Sequence, residues 1–121
     1  MKKKKTLVLG ASANPSRYSY LAIHKLRSYG HPVVAIGRRV GKVADTDIQI
    51  DKAPFEEVDT VTLYMNRQHQ QEYHNYILSL KPKRIIFNPG AENEELESLA
   101  RAKGIETQDA CTLVMLSTNQ Y

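Results

Sequence analysis

The form of the apolar segments constrains this chain more than anything else in it. TLVLG (6–10), PVVAIG (32–37), DTVTLYMN (59–66) and RIIFNPG (84–90) carry short, nearly unbroken apolar runs instead of alternating apolar with polar residues. A strand with one face in water alternates, whereas a strand covered on both faces does not. Between the runs lie segments whose apolar residues recur at helical spacing. SYLAIHKLRSYG (19–30) turns Leu21, Ile23, Leu26 and Tyr29 inward and ends at Gly30, a natural helix stop. QHQQEYHNYILSLK (68–81) sets Tyr73, Tyr76, Ile77 and Leu80 on one face, and NEELESLARAKG (93–104) does the same with Leu96, Leu99 and Ala100. DIQID (47–51) is short and alternating, as an edge strand would be; IETQ (105–108) reads as a last strand. The tail, 109–121, contains CTLVML, which predicts a short helix. The order β-α-β-β-β-α-β-α-β defines an α/β fold with a single doubly wound, mostly parallel, Rossmann-like sheet.

A chain of 121 residues suggests one domain. At that length a core forms without disulfides or metal. The single Cys excludes an intramolecular disulfide and fits a reducing, cytoplasmic setting. The net charge of +4 hints at nucleic acid, but Lys2–Lys5 account for all of it: without them 13 basic residues face 13 acidic ones. The expected division is a basic, disordered tail over 1–5 and the domain over 6–121, with no nucleic-acid partner. The apolar run after the lysines is too short for a signal peptide, and no segment is long enough to span a membrane.

In open α/β sheets ligands bind beyond the carboxyl ends of the strands, where the strand order reverses. The first such end carries Gly10, Ala11, Ser12, Ala13 and Asn14, then Pro15, Arg17 and Tyr18. Small residues allow close approach of a ligand, and the N-terminus of the following helix favours an anion. The dinucleotide fingerprint G-x-G-x-x-G is absent, because positions 12 and 15 are Ser and Pro. The second end reads Gly37, Arg38, Arg39, Val40, Gly41, Lys42. An NAD site usually places an acidic residue there to hold the ribose hydroxyls. Basic residues favour instead a ribose that carries a phosphate, as in NADP or coenzyme A (CoA). Met65 and Asn66 follow the fourth strand; Asn88, Pro89 and Gly90 follow the fifth.

Gly10-Ala11-Ser12-Ala13-Asn14-Pro15, Gly30-His31-Pro32-Val33 and the later Gly41 resemble the G-A-S-x-x-P turn, the G-[YH]-x-V step and the following Gly of the CoA-binding domain family. These are small, single-domain bacterial proteins similar to the CoA-binding domain of the succinyl-CoA synthetase α subunit. NPGAENEELESLARAKGIETQDAC resembles the family's L-G-x-x-N-E-E stretch, its A-x-x-x-G-[LI] step and its late Cys. The chain differs at Ile36-Gly37-Arg38, Tyr64-Met65-Asn66-Arg67 and Asn88-Pro89-Gly90, where the family often has V-N-P, R-x-P-E and Q-L-G. The resemblance implies CoA or an acyl-CoA as ligand. The 10–18 turn would hold the pyrophosphate, and Arg38, Arg39 and Lys42 would meet the adenosine end. Met65 and Asn66 would flank adenine or pantetheine, with residues 88–91 on the far side.

Catalytic chemistry is not legible. His69 and His74 are five apart and do not share a helix face, so no metal pair is expected. Cys111 has no catalytic signature around it and reads as a buried thiol. The phosphorylated His of the synthetases lies in a domain that has no counterpart here. A non-catalytic binding module for a small nucleotide ligand is therefore the expectation. A small NADP-binding protein or redox sensor, and an interaction protein with a decayed nucleotide site, are the alternatives.

Overall fold

A computed structural model describes residues 2–121. It contains strand β1 (Thr6–Ala11), helix α1 (Tyr18–Ser28), β2 (Val33–Gly37), β3 (Gly41–Val43), β4 (Thr46–Gln49) and β5 (Thr60–Leu63). Helices α2 (Arg67–Gln70) and α3 (His74–Ser79) follow, separated by a 3-10 turn over Gln71–Tyr73. The chain continues with β6 (Arg84–Phe87), α4 (Glu94–Ala102), β7 (Glu106–Asp109) and α5 (Thr112–Ser117).

The seven strands form one sheet in the order β3-β4-β2-β1-β5-β6-β7. All neighbours run parallel except β3, which pairs antiparallel with β4. From β1 the chain moves outward through β2 to β4, returns to β5 on the other side, and moves outward again. The order reverses between β1 and β5, in register Thr6↔Thr60 to Leu9↔Leu63.

Two apolar layers cover the sheet. Leu7, Leu9, Val61, Leu63, Ile85 and Phe87 pack on one face with Ile77 of α3 and Leu96 and Ala100 of α4. Val8, Ala35, Ile48 and Ile86 pack on the other with Ile23 and Leu26 of α1 and Met115 and Leu116 of α5. Successive residues of β1 serve opposite layers, which is why the run is continuously apolar.

Four expectations need correction. The 47–51 segment is not an edge: Gly41–Val43 folds back on it as the true edge strand. The single 68–81 helix is broken by the 3-10 turn. Leu21 and Leu99 are exposed; Ser19 and Ala22 take the inward positions of α1 beside Ile23 and Leu26. The lysine run is not wholly solvated, since Lys4 and Lys5 are half-buried. Lys4 donates its backbone N–H to Nδ1 of His31 at 2.9 Å, and the carbonyl of Lys5 accepts from Asp59 and Thr60. Tyr121 is buried against this corner, with its carbonyl accepting from Arg84 Nη1 at 2.9 Å.

Candidate nucleotide site

The carboxyl ends of β1, β2, β5 and β6 converge on one edge of the sheet. At its centre is Gly10, whose φ of +94° kinks β1 and shifts its register against β2 between Leu9 and Ala11. A Cβ on Gly10 would lie 2.9 Å from the carbonyl carbon of Tyr64 and 3.2 Å from Met65 N. Gly10 is therefore required by the backbone leaving β5. Gly37 answers to the same kind of constraint: its Cβ would lie 2.2 Å from the Ala11 carbonyl oxygen. Gly10, Ala11 and Gly37 thus set how closely three strand ends approach, and Ala11 and Gly37 are themselves buried.

Beyond Ala11 the chain surfaces. Ser12 Oγ accepts from Asn14 N–H at 3.0 Å, and Asn14 Oδ1 accepts from Ser16 N–H at 3.0 Å. These local bonds fix the turn and leave Ala13, Asn14, Arg17 and Tyr18 exposed. Arg17 is the N-cap of α1 and supplies no side-chain cap. Arg17 N–H donates to Asn14 O at 3.0 Å and Tyr20 N–H to Arg17 O at 3.1 Å, which leaves the N–H groups of Tyr18 and Ser19 without an acceptor among the described residues, at the positive end of the helix dipole.

The basic residues lie on one flank. Arg38, Arg39 and Lys42 are exposed beside the turn. The β3–β4 hairpin brings Gly41 close to Ala13, where a Cβ on Gly41 would be 3.1 Å from the Ala13 Cβ. Arg38 reaches across to α2, placing Nη2 at 2.7 Å from His69 Nε2 and 3.1 Å from Nδ1. The opposite flank is acidic: Glu94, Glu95 and Glu97 occupy the first turn of α4, and Glu92 precedes them.

The strand-end residues on the far side divide. Asn88 does not face the crevice. It is buried, with Nδ2 donating to Thr62 Oγ1 at 2.7 Å and Leu63 O at 2.9 Å, and Oδ1 accepting from Thr112 N–H at 2.9 Å. Its side chain holds the start of α5 to the sheet. Pro89 and Gly90 are exposed, Met65 is half-buried, and Asn66 caps α2 by accepting from His69 N–H at 3.0 Å. Sequence reasoning missed His69 as a partner for Arg38, and it missed a buried polar relay behind the site. Gln70 donates to Met65 O at 2.8 Å and Ala91 O at 2.6 Å; Asn93 donates to Gln70 Oε1 at 3.0 Å and contacts His74 Nε2 at 3.2 Å. The relay ties the loop after β5 to the loop after β6. Cys111 is half-buried and free. Among the described residues no three His, Cys, Asp or Glu side chains cluster as a metal site, and no helix is long and apolar enough to cross a membrane.

A mostly parallel sheet in this order, with the strand order reversing between β1 and β5, defines a Rossmann-like domain. Residues 4–117 match the profile of the CoA binding domain, and the chain belongs to that family. It is also similar to a protein of solved crystal structure described as uncharacterized, with 52% identity over 100% of both chains and a TM-score of 0.97. A hypothetical protein from Pyrococcus horikoshii OT3 shares 19% identity over 97% of this chain and 84% of its own, with a TM-score of 0.86. A Thermus thermophilus structure shares 20% over 98% and 91%, at 0.85. The last two share the fold. No curated protein matches the chain.

Proposed function

We propose that this protein binds CoA or an acyl-CoA at the carboxyl ends of β1, β2 and β5, as a binding module without catalytic groups of its own. The observation that carries the reading is the charge division of the crevice. The guanidinium groups of Arg38 and Arg39 and the Lys42 ammonium are exposed on the β2 side, next to the start of α1 where the N–H groups of Tyr18 and Ser19 have no acceptor, while the α4 side is acidic. CoA has that same asymmetry: its pyrophosphate and 3′-phosphate lie at the adenosine end, and its pantetheine is uncharged. The phosphates belong at the turn 12–18 and the two arginines. The pantetheine runs past Met65 and Asn66 toward Pro89 and Gly90, where no phosphate meets the glutamates. Family membership supports CoA as the ligand.

The test is a thermal-shift series with CoA, acetyl-CoA, NADP and NAD. A ligand at about a hundred times its Kd adds roughly 2.7 kcal/mol. In a domain of this size that raises the Tm by roughly 10 °C. CoA and acetyl-CoA are expected to give the rise and NAD none. A rise with NADP alone replaces the reading by that of an NADP-binding protein.

A further inference from the structure

We propose that His31 is the latch of a clasp closed over the amino ends of the strands, and that protonation of its ring opens the clasp while the sheet stays folded. The proposal is independent of the nucleotide reading, whose crevice lies at the carboxyl ends. The clasp consists of the lysine run and the segment 118–121. Lys3, Lys4 and Lys5 each donate an ammonium hydrogen to a backbone carbonyl, of Tyr29, Tyr121 and Glu56 in turn. Tyr121 is buried, its hydroxyl bonded to Thr6 Oγ1 and its ring centroid 4.9 Å from that of His31. Arg84 closes the far side, with Nη1 donating to the Tyr121 carbonyl at 2.9 Å and Cζ 4.4 Å from the centroid of the Tyr121 ring.

The latch is one hydrogen bond whose direction is fixed. The Lys4 backbone N–H donates to His31 Nδ1 at 2.9 Å. A backbone N–H only donates, so Nδ1 holds a lone pair and the ring hydrogen sits on Nε2. The ring is fully buried, and Nε2 meets no partner among the described residues. An imidazolium donates from both nitrogens. It sets a ring N–H against the Lys4 N–H and buries a charge with no acceptor beside it, an arrangement the closed clasp cannot hold. Lys3 and Lys4 face the ring from the run and Arg84 from β6, while Asp59, just before β5, faces it with the opposite charge. Arg27 of α1 donates to the His31 carbonyl at 2.8 Å and is paired with Asp45. Burial, and then the three cations, hold the imidazole below its usual value. The ring charges when residues 2–5 and Tyr121 move off it and admit water.

The sign follows. In the open clasp His31 is solvated and titrates at about 6.5; in the closed clasp it takes the proton only at lower pH. Closure is full above about 6.5 and weakens about tenfold for each pH unit below it, until the closed form's own midpoint is reached. The experiment is NMR-detected amide hydrogen exchange between about pH 7.5 and 5, with and without urea below the unfolding transition. Protection is each rate relative to that of the unstructured chain. At Lys4 N–H and at Gln120 N–H, which is bonded to Met115 O, protection is expected to fall about tenfold per pH unit below about 6.5 and to be nearly insensitive to urea, because a local opening exposes little surface. At Val61 and Ile85, in the middle of the sheet, it is expected to be much higher and to fall with urea. In His31→Asn, whose amide oxygen still accepts from Lys4 and does not titrate, protection at Lys4 and Gln120 is expected to be independent of pH. Protection at Lys4 that does not change with pH in the parent overturns the proposal. So does protection at Lys4 and Gln120 with the level and urea dependence of Val61 and Ile85, which means that the clasp opens only with the whole domain. Both of these readings come from the parent and hold whether or not the variant folds. A fall that persists in His31→Asn removes His31 as the latch.

Discussion

Gly10→Ala separates two costs that are usually confounded. The substitution meets a backbone φ of +94°, which an L side chain rarely adopts, and a Cβ position 2.9 Å from the Tyr64 carbonyl carbon. The left-handed conformation costs roughly 1–2 kcal/mol. Forcing an extra carbon into a packed position costs roughly 1–3 kcal/mol more, because the yielding neighbour is backbone. Together these amount to about 2–5 kcal/mol, or about 8–20 °C in Tm for a domain of this size. Gly90→Ala is the control: its φ is +91°, yet nothing lies within 4 Å of the added Cβ. It should lose only the conformational part, about 4–8 °C. Thermal unfolding of both variants, followed by circular dichroism, gives the difference. Equal shifts would refute the argument that Gly10 exists to admit the end of β5.

Three further outcomes are expected. Replacing Arg38 and Arg39 by Ala should weaken CoA about 10- to 100-fold, as loss of charge-assisted bonds worth roughly 1.5–3 kcal/mol implies; dephospho-CoA should bind parent and variant almost alike, read by calorimetry. Asn88→Ala should cost about 2–4 kcal/mol in denaturant unfolding, because it strands the buried Leu63 carbonyl and Thr112 N–H. Burial, and then the charges of Lys3, Lys4 and Arg84, holds the His31 imidazole below its usual value. The unfolded chain therefore binds the proton first, and stability falls as pH drops below about 6.5. Urea unfolding at pH 7.5 and 5.5 should show that slope in the parent and a flatter one in His31→Asn, whose amide oxygen can still accept from Lys4.

The sheet was legible because its signals are local. Val8 and Leu9 announce a strand covered on both faces, and Asn93 announces a helix start that the structure confirms by its bond to Leu96 N–H at 3.1 Å. The β3–β4 hairpin was hidden, since its turn places Ala44 at φ +54° where Gly or Asn is the usual marker. The break at Gln71–Tyr73 was hidden for a different reason. Gln70 is drawn inward to the carbonyls of Met65 and Ala91, a long-range demand that periodicity cannot report. In the site, small residues and arginines marked the carboxyl ends of β1 and β2, and the structure places Ala13, Asn14, Arg38 and Arg39 exposed there. The inward turn of Asn88 did not show, because an Asn after a strand reads equally as a turn residue and as a buried tie. His69 was within reach: Asn66, three residues before it, is an N-cap residue that fixes where the following turn of helix begins.

The most direct test of CoA binding at the β1/β5 switch is amide chemical-shift mapping of the 15N-labelled protein titrated with CoA. The largest changes are expected at Ser12–Ser19 and Arg38–Lys42, with smaller ones at Met65, Asn66 and Gly90, and none at the amino ends of the strands around Thr6 and Arg84. Changes centred on the α1–α5 face, or no saturable change at millimolar CoA, would contradict the assignment of this crevice.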